Sequence, residues 1–156
     1  MTTTQTEMAH AEAKGFDLRP PQDALAILAR GQSAAAQVVQ EAIPAIAEAA
    51  QLAADCIGKG GRLIYAAAGS SGLMALADAL ELPGTYGIAR DRIAVLLAGG
   101  VAALTDMAGA PEDDEAAART EIARLGVGPA DCIIALTASG YTPYPMAAVA
   151  AGRAAG

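Results

Sequence analysis

Three short apolar runs punctuate the second half of the chain: RLIYAA at residues 62–67, RIAVLLA at 92–98 and DCIIALTA at 131–138. Each is continuous rather than alternating, which is the pattern of a strand buried on both faces of a parallel sheet. Segments with helical periodicity separate them, at about 71–80, 101–108 and 113–125, and PYPMAAVAAGRAAG closes the chain as a further helix. The β-α-β-α-β order predicts a parallel sheet with right-handed crossovers, whose ligands bind where strands run into helices. Three strands make a thin domain. The chain is therefore expected to be the N-terminal part of a longer protein, or to depend on a partner, and its third strand to lack a neighbour on one side and promote association.

Upstream the pattern changes. Residues 1–15 are polar, without the apolar centre of a signal peptide. Pro20 and Pro21 precede a helical stretch, QDALAILARGQ. From Ser33 an Ala-rich amphipathic helix follows, with Val38, Val39, Ile43, Ile46 and Ala50 on one face. Pro44 is expected to kink or split it, and Gly58, Gly60 and Gly61 to end it, with Lys59 near the negative end of the helix dipole.

Composition narrows the chemistry. The chain is 54% hydrophobic but 3% aromatic, so its core is built from Ala, Leu, Ile and Val in close packing. Ten Lys and Arg against 17 Asp and Glu give a net charge of -7, with no basic footprint for nucleic acid or an anionic membrane surface. A small anion remains possible, because backbone N–H groups can hold one in an acidic protein. Cys56 and Cys132 are far apart in apolar runs, as small buried residues of a reducing compartment. His10 is the only histidine, which removes a Ser-His-Asp triad, a Cys-His pair and most zinc sites. No metal or cofactor is expected, no apolar run is long enough to span a bilayer, and the cytoplasm is the expected compartment.

The chemistry-bearing residues sit at strand ends. Gly69-Ser70-Ser71-Gly72 follows the first apolar run and opens a helix; Ser139-Gly140, with Thr142 beyond, repeats the arrangement after the third. Serine at one such place is commonly a helix cap. Two hydroxyl-rich turns on one sheet edge suggest a phosphate or phosphosugar cradle, without the Gly-Lys-Ser/Thr of a P-loop or the G-x-G-x-x-G of a dinucleotide site. Glu81 stands at the end of an apolar helical run, either solvated or aimed at the ligand. Glu112, Asp113, Asp114 and Glu115 form an acidic cluster, the pattern of an ordinary first helical turn favoured by the helix dipole.

These residues carry a resemblance. GGRLIYAAAGSSGLMALADALELPGTYG, LLAGG, PEDD and TASGYTPY resemble, in order and spacing, the motifs of the N-acetylmuramic acid 6-phosphate etherases, members of the sugar isomerase (SIS) superfamily. The resemblance covers about residue 18 to the end. It implies an α/β fold, the SIS-type αβα sandwich with a parallel sheet, of which this chain holds about three strands preceded by a helical arm. The implied division is a tail at 1–17, the arm at 18–61 and a phosphosugar-binding domain at 62–156. The implied activity is cleavage of the D-lactyl ether of N-acetylmuramic acid 6-phosphate, giving N-acetylglucosamine 6-phosphate and D-lactate in cell-wall recycling, by a cytoplasmic homodimer without metal. Ser70, Ser71, Gly72, Ser139, Gly140 and Thr142 match the phosphosugar-binding positions, and Glu81 and Glu112 the two candidate acid/base carboxylates. Glu81 is then expected to point back over the phosphosugar turn and to be partly desolvated.

The chain departs from the family pattern at Leu73 and Tyr141, which replace arginines, and at Gly84 and Ala110. Two other classes therefore stand beside the lyase. One is a non-catalytic phosphosugar-binding or regulatory module, favoured by the missing arginines. The other is an aldose-ketose isomerase, against which the ELPGT and LLAGG matches speak.

Overall fold

The computed structural model describes residues 8–106 and 110–156. The chain divides into two compact units, Met1–Gln51 and Leu52–Gly156. In the first, a short 3-10 helix at Phe16–Leu18 precedes the long helix α1, Pro21–Gly58, whose residues from Leu52 on belong to the second unit, and Arg30 pairs with Glu12 at 3.1 Å. The two stretches read separately, QDALAILARGQ and the helix from Ser33, are one continuous helix that Pro44 does not split: Gly31 and Pro44 both lie inside α1. Thirteen alanines in this helix favour propagation strongly enough to carry the lost hydrogen bond at proline. Val38, Val39, Ile43 and Ile46 are all at least half exposed.

The second unit holds the sheet. Strand β1, Leu63–Ala67, leads into helix α2, Gly69–Tyr86; β2, Ile93–Leu97, into α3, Gly100–Asp106; α4, Glu115–Leu125, is followed by β3, Cys132–Leu136, and α5, Pro143–Ala155. The strands are parallel in the order β2-β1-β3, so β1 is central and buried throughout, while β2 and β3, among the described residues, each pair on one side only. One face of β1, with Ile64 and Ala66, packs on Ala118 and Ile122 of α4 and Tyr144, Ala147 and Ala148 of α5. The other, with Leu63, Tyr65 and Ala67, packs on Cys56 of α1 and Ala75 and Ala79 of α2. Helices on both faces of a parallel sheet make the αβα sandwich, and the small Ala side chains let the layers approach closely. Cys56 is buried and Cys132 half-buried, and burial pushes both thiols up from their ordinary value.

Several expected boundaries move. Helix α2 runs past the expected end near residue 80, with Pro83, Gly84 and Thr85 inside it; Ala79 and Leu82 continue its buried face, and the helix ends at Gly87, whose left-handed backbone (φ 69°) donates its N–H to the Leu82 carbonyl. Helix α4 starts at Glu115 rather than 113, because the Asp114 carboxylate accepts from the Ala117 N–H at 2.8 Å and caps it. The predicted end of α3 at 108 lies outside the described residues.

An ion pair ties β1, β3 and α4 together at the amino edge of the sheet. Asp131 accepts from the Arg62 backbone N–H (2.9 Å), Arg62 Nε (3.1 Å), Arg62 Nη2 (2.7 Å) and the Gly128 N–H (3.1 Å). The same guanidinium donates to the carbonyls of Leu125, the last residue of α4, and of Gly126, its C-cap. The Asp131 side chain is only 8% exposed, and the guanidinium hydrogen-bonded to it holds its carboxyl below the ordinary value. A depressed carboxylate stabilises the fold above its unfolded pKa, and this contribution disappears as pH falls through the folded value. Asp131→Ala strands a half-buried guanidinium and is expected to cost about 3 kcal/mol at pH 7, measured by urea unfolding. The gap to the parent protein should shrink below about pH 4.

Candidate functional site

Register makes the site edge. Ala67 of β1 is level with Leu97 of β2 and with Leu136 of β3, so the three strands end together. The segments at 68–71, 98–100 and 137–142 therefore share one edge, the carboxyl edge where parallel sheets take ligands.

In the central segment, Ala68 is the N-cap of α2, extended (φ -134°, ψ 156°) and without a side chain that caps the helix. Gly69 follows in the left-handed region (φ 51°), with open space where a Cβ would lie, so backbone conformation and not room calls for glycine. The Gly72 N–H closes onto the Ala68 carbonyl at 3.1 Å. The N–H groups of Gly69, Ser70 and Ser71 precede this bond and open past the helix end. The capping alternative thus fails here: Ser70 and Ser71 occupy the first turn itself and add two hydroxyls to an uncapped, electropositive helix start. Gly72 is buried, with Leu104 and Leu97 within 3.2 Å of where its Cβ would stand, which seats α2 against the next strand-helix unit.

The segment after β3 is a chain of hydroxyls. Thr137 Oγ1 lies 2.7 Å from Thr142 Oγ1 and 3.3 Å from Ser139 Oγ, and Ser139 Oγ accepts the Tyr141 N–H at 3.1 Å. Gly140 makes the bend (φ 78°). Thr142 is the N-cap of α5 but makes no side-chain cap bond, its hydroxyl being engaged with Thr137. Thr137 is absent from the sequence-derived candidates; its place as the first residue after β3, in the same TASG stretch, was the available signal. Ser70 and Gly140 are exposed, and Ser71, Ser139 and Thr142 partly so.

The two carboxylates are placed differently. Glu112 is exposed in the short 3-10 turn Ala110–Asp113, whose Pro111 packs 2.9 Å from where a Gly99 Cβ would stand, beside the end of β2. Half of the surrounding acidic cluster is accounted for locally: Asp114 caps α4 and Glu115 pairs with Arg119. Glu81 is also exposed, and it neither ends α2 nor points back over the turn. It stands eleven positions after Ser70, about 16 Å along the axis at 1.5 Å per residue. The backward lean of a helical side chain does not close that gap, so the chain does not bring Glu81 to its own hydroxyl turns, nor is Glu81 desolvated within it.

One turn before Glu81, Asp78 accepts a 2.5 Å hydrogen bond from the hydroxyl of Tyr65, which is buried in β1; burial, aided by the Asp78 carboxylate, pushes this phenol far up from its ordinary value. This bond locks the middle of α2 to the sheet. A cavity of about 360 Å³ opens by Leu96, Gly99, Glu121 and Tyr144, and another of about 340 Å³ by Asp131, Ile133 and Arg153; neither is lined by the hydroxyl turns. Among the described residues no helix is long and apolar enough to cross a membrane.

The SIS domain family model matches residues 28–156, and the chain belongs to that family. Among curated relatives, the N-acetylmuramic acid 6-phosphate etherase of Deinococcus radiodurans is 39% identical over 97% of this chain and 50% of its own length. That of Thermobifida fusca is 40% identical over 97% of this chain and 49% of its own. The chain thus spans about half the length of the curated relatives it matches. A phosphoheptose isomerase from Francisella tularensis superposes with a TM-score of 0.60 at 23% identity, over 84% of this chain and 70% of its own, and confirms the fold.

Proposed function

We propose that this chain forms part of a cytoplasmic, homodimeric N-acetylmuramic acid 6-phosphate etherase, binding the phosphosugar without metal or cofactor. The observation that carries this reading is the uncapped start of α2, with Ser70 and Ser71 in its first turn, level with the hydroxyl chain Thr137–Ser139–Thr142 on the neighbouring strand. The names of the etherase relatives supply the substrate.

In this reading the phosphate sits over the N–H groups and hydroxyls of Gly69–Ser71, and Ser139 and Thr142 hold it or the sugar. The ring-opened aldehyde acidifies the proton on C2. One carboxylate removes that proton, and the electron pair forms the C2–C3 double bond as the C3–O bond to lactate breaks. A carboxylic acid protonates the departing lactate oxygen. Water then adds at C3 and a proton returns to C2. Glu81 and Glu112 share the acid and base roles.

Ser70→Ala and Ser139→Ala are each expected to weaken binding of N-acetylmuramic acid 6-phosphate by about 1–3 kcal/mol in calorimetry, as for a lost hydrogen bond to a charged group. Unchanged affinity in both would move the ligand elsewhere. Incubation with the same sugar in heavy water tests the chemistry: lactate release with deuterium at C2 of the product supports the lyase. A second reading, a non-catalytic phosphosugar-binding module, draws on Leu73 and Tyr141 in place of arginines and on the exposure of Glu81 and Glu112. Binding without lactate or deuterium exchange would establish it.

A further inference from the structure

Helix α5 carries one buried polar group that the hydroxyl turns do not use. Tyr144 is only 1% exposed, yet its hydroxyl has no hydrogen-bond partner among the described residues. Among those residues no buried side-chain nitrogen or oxygen is sealed off without a partner, so this hydroxyl is not sealed, and the sliver of Tyr144 that reaches solvent includes it. It opens on the cavity of about 360 Å³ beside β2, which is within the size range of ligand sites. A buried phenol without a partner is costly unless something in that cavity accepts its hydrogen bond.

Helix α4 supplies a second polar group to the same cavity. Glu121 lines it, and both bonds from Arg124, at 3.1 and 2.6 Å, fall on one carboxylate oxygen, Oε2, leaving Oε1 as an acceptor. Burial pushes the Tyr144 phenol up from its ordinary value, and the Glu121 and Asp114 carboxylates push it further, so at neutral pH it remains a donor. Around this donor and acceptor the wall is apolar, with Val95, Leu96, Val101 and Ala117. Gly100 keeps the mouth clear, since no atom lies within 4 Å of where its Cβ would stand. An anion here would face the Glu121 carboxylate, and a cation would compete with Arg124 for it. A carboxamide satisfies both groups at once: its carbonyl accepts from the phenol, its N–H donates to the carboxylate, and it brings no charge to bury.

We infer that the cavity beside β2, walled by α4 and α5, is a binding site for a small uncharged carboxamide, held between the Tyr144 hydroxyl and Glu121 Oε1 with its apolar body against Val95, Leu96 and Val101. The hydroxyl turns do not line this cavity, so the inference does not rest on the phosphosugar reading.

Benzamide, benzoate and toluene share one ring and differ in the group they offer, which makes them the probes, titrated into the full chain and followed by backbone amide shifts in ¹⁵N NMR. Benzamide should shift Gly99, Gly100 and Ala117 saturably. It should bind at least ~10-fold more tightly than benzoate, whose charge faces Glu121, and than toluene, which makes neither hydrogen bond. Tyr144→Phe keeps the ring and loses the donor, and should weaken benzamide about tenfold while leaving toluene unchanged. Val101→Trp, at a position 64% exposed, narrows the mouth from the solvent side without entering the core, and should weaken both. Inorganic phosphate in the same titration reports on Gly69–Ser71: its failure to shift those amides would count against the phosphosugar reading and leave this inference standing. No saturable benzamide shift at Gly99, Gly100 and Ala117 would overturn the inference. So would benzoate binding as tightly as benzamide, or benzamide binding indifferent to Tyr144→Phe or to Val101→Trp.

Discussion

Glu81→Gln is expected to lower lactate release at least ~10²-fold in a complete protein carrying this segment, the usual scale for removing a general acid or base. Glutamine keeps the size and one acceptor of glutamate but can neither take the C2 proton nor deliver one to the lactate oxygen. The loss should therefore fall on kcat, with KM and the calorimetric affinity for N-acetylmuramic acid 6-phosphate little changed. Glu112→Gln provides the companion measurement. If Glu81 is the base, Glu81→Gln also abolishes deuterium incorporation at C2; if it is the acid, exchange at C2 persists while lactate release falls. Full turnover in Glu81→Gln would remove this residue from the chemistry, and an unchanged affinity in a protein that never released lactate would favour the binding module.

The sheet was legible because buried parallel strands advertise themselves: LIYAA, IAVLL and CIIAL are continuous apolar runs, and each became a strand trimmed by a residue or two at its ends. The hydroxyl turns were legible for the same reason, since a strand end followed by Gly and Ser is where a parallel sheet meets its ligand. The helices misled where local signals compete with packing. Pro44 and the Pro83-Gly84-Thr85 stretch look like stops in isolation, yet α1 and α2 run through them because alanine-rich surroundings and the continuing buried face at Ala79 and Leu82 outweigh one lost hydrogen bond. The placement of Glu81 was misjudged with them. A helix ending near Leu80 leaves the carboxylate free to turn; a helix continuing to Tyr86 fixes it on the outer row with Ser70, Met74 and Ala77. Long-range pairs were invisible altogether: nothing in the chain marks Asp131 as the partner of Arg62 or Asp78 as the partner of Tyr65, because sequence patterns report faces, not contacts.

Gly61→Ala should prevent this chain from reaching its native stability, with an expected loss above ~3 kcal/mol, the upper end for overpacking. Gly61 is buried at the entry to β1, and its N–H donates to the Cys56 carbonyl at 2.8 Å. A Cβ there would stand 1.7 Å from the Ala130 carbonyl oxygen, 2.6 Å from its carbon and 2.8 Å from Cys56 Sγ. Two of those atoms are backbone and cannot rotate away, so the segment before β3 must retreat. That retreat works against everything anchored beside it: the Asp131 carboxylate on Arg62, the Cys132 N–H bonded to the Arg62 carbonyl at 2.9 Å, and the pairing of Leu63 with Cys132 that sets the β1–β3 register. Because the three strand ends are level only while that register holds, the damage should reach the hydroxyl turns at the far edge as well. Gly58→Ala is the control. It lies at the end of α1 with open space around its Cβ, and should be neutral or stabilising by up to about 1 kcal/mol through helix propensity. Urea unfolding followed by circular dichroism compares the two. A Gly61→Ala protein as stable as its parent would show that the 130–131 segment does not pack on Gly61, and with it would go the tight β1–β3 entry on which the level site edge depends.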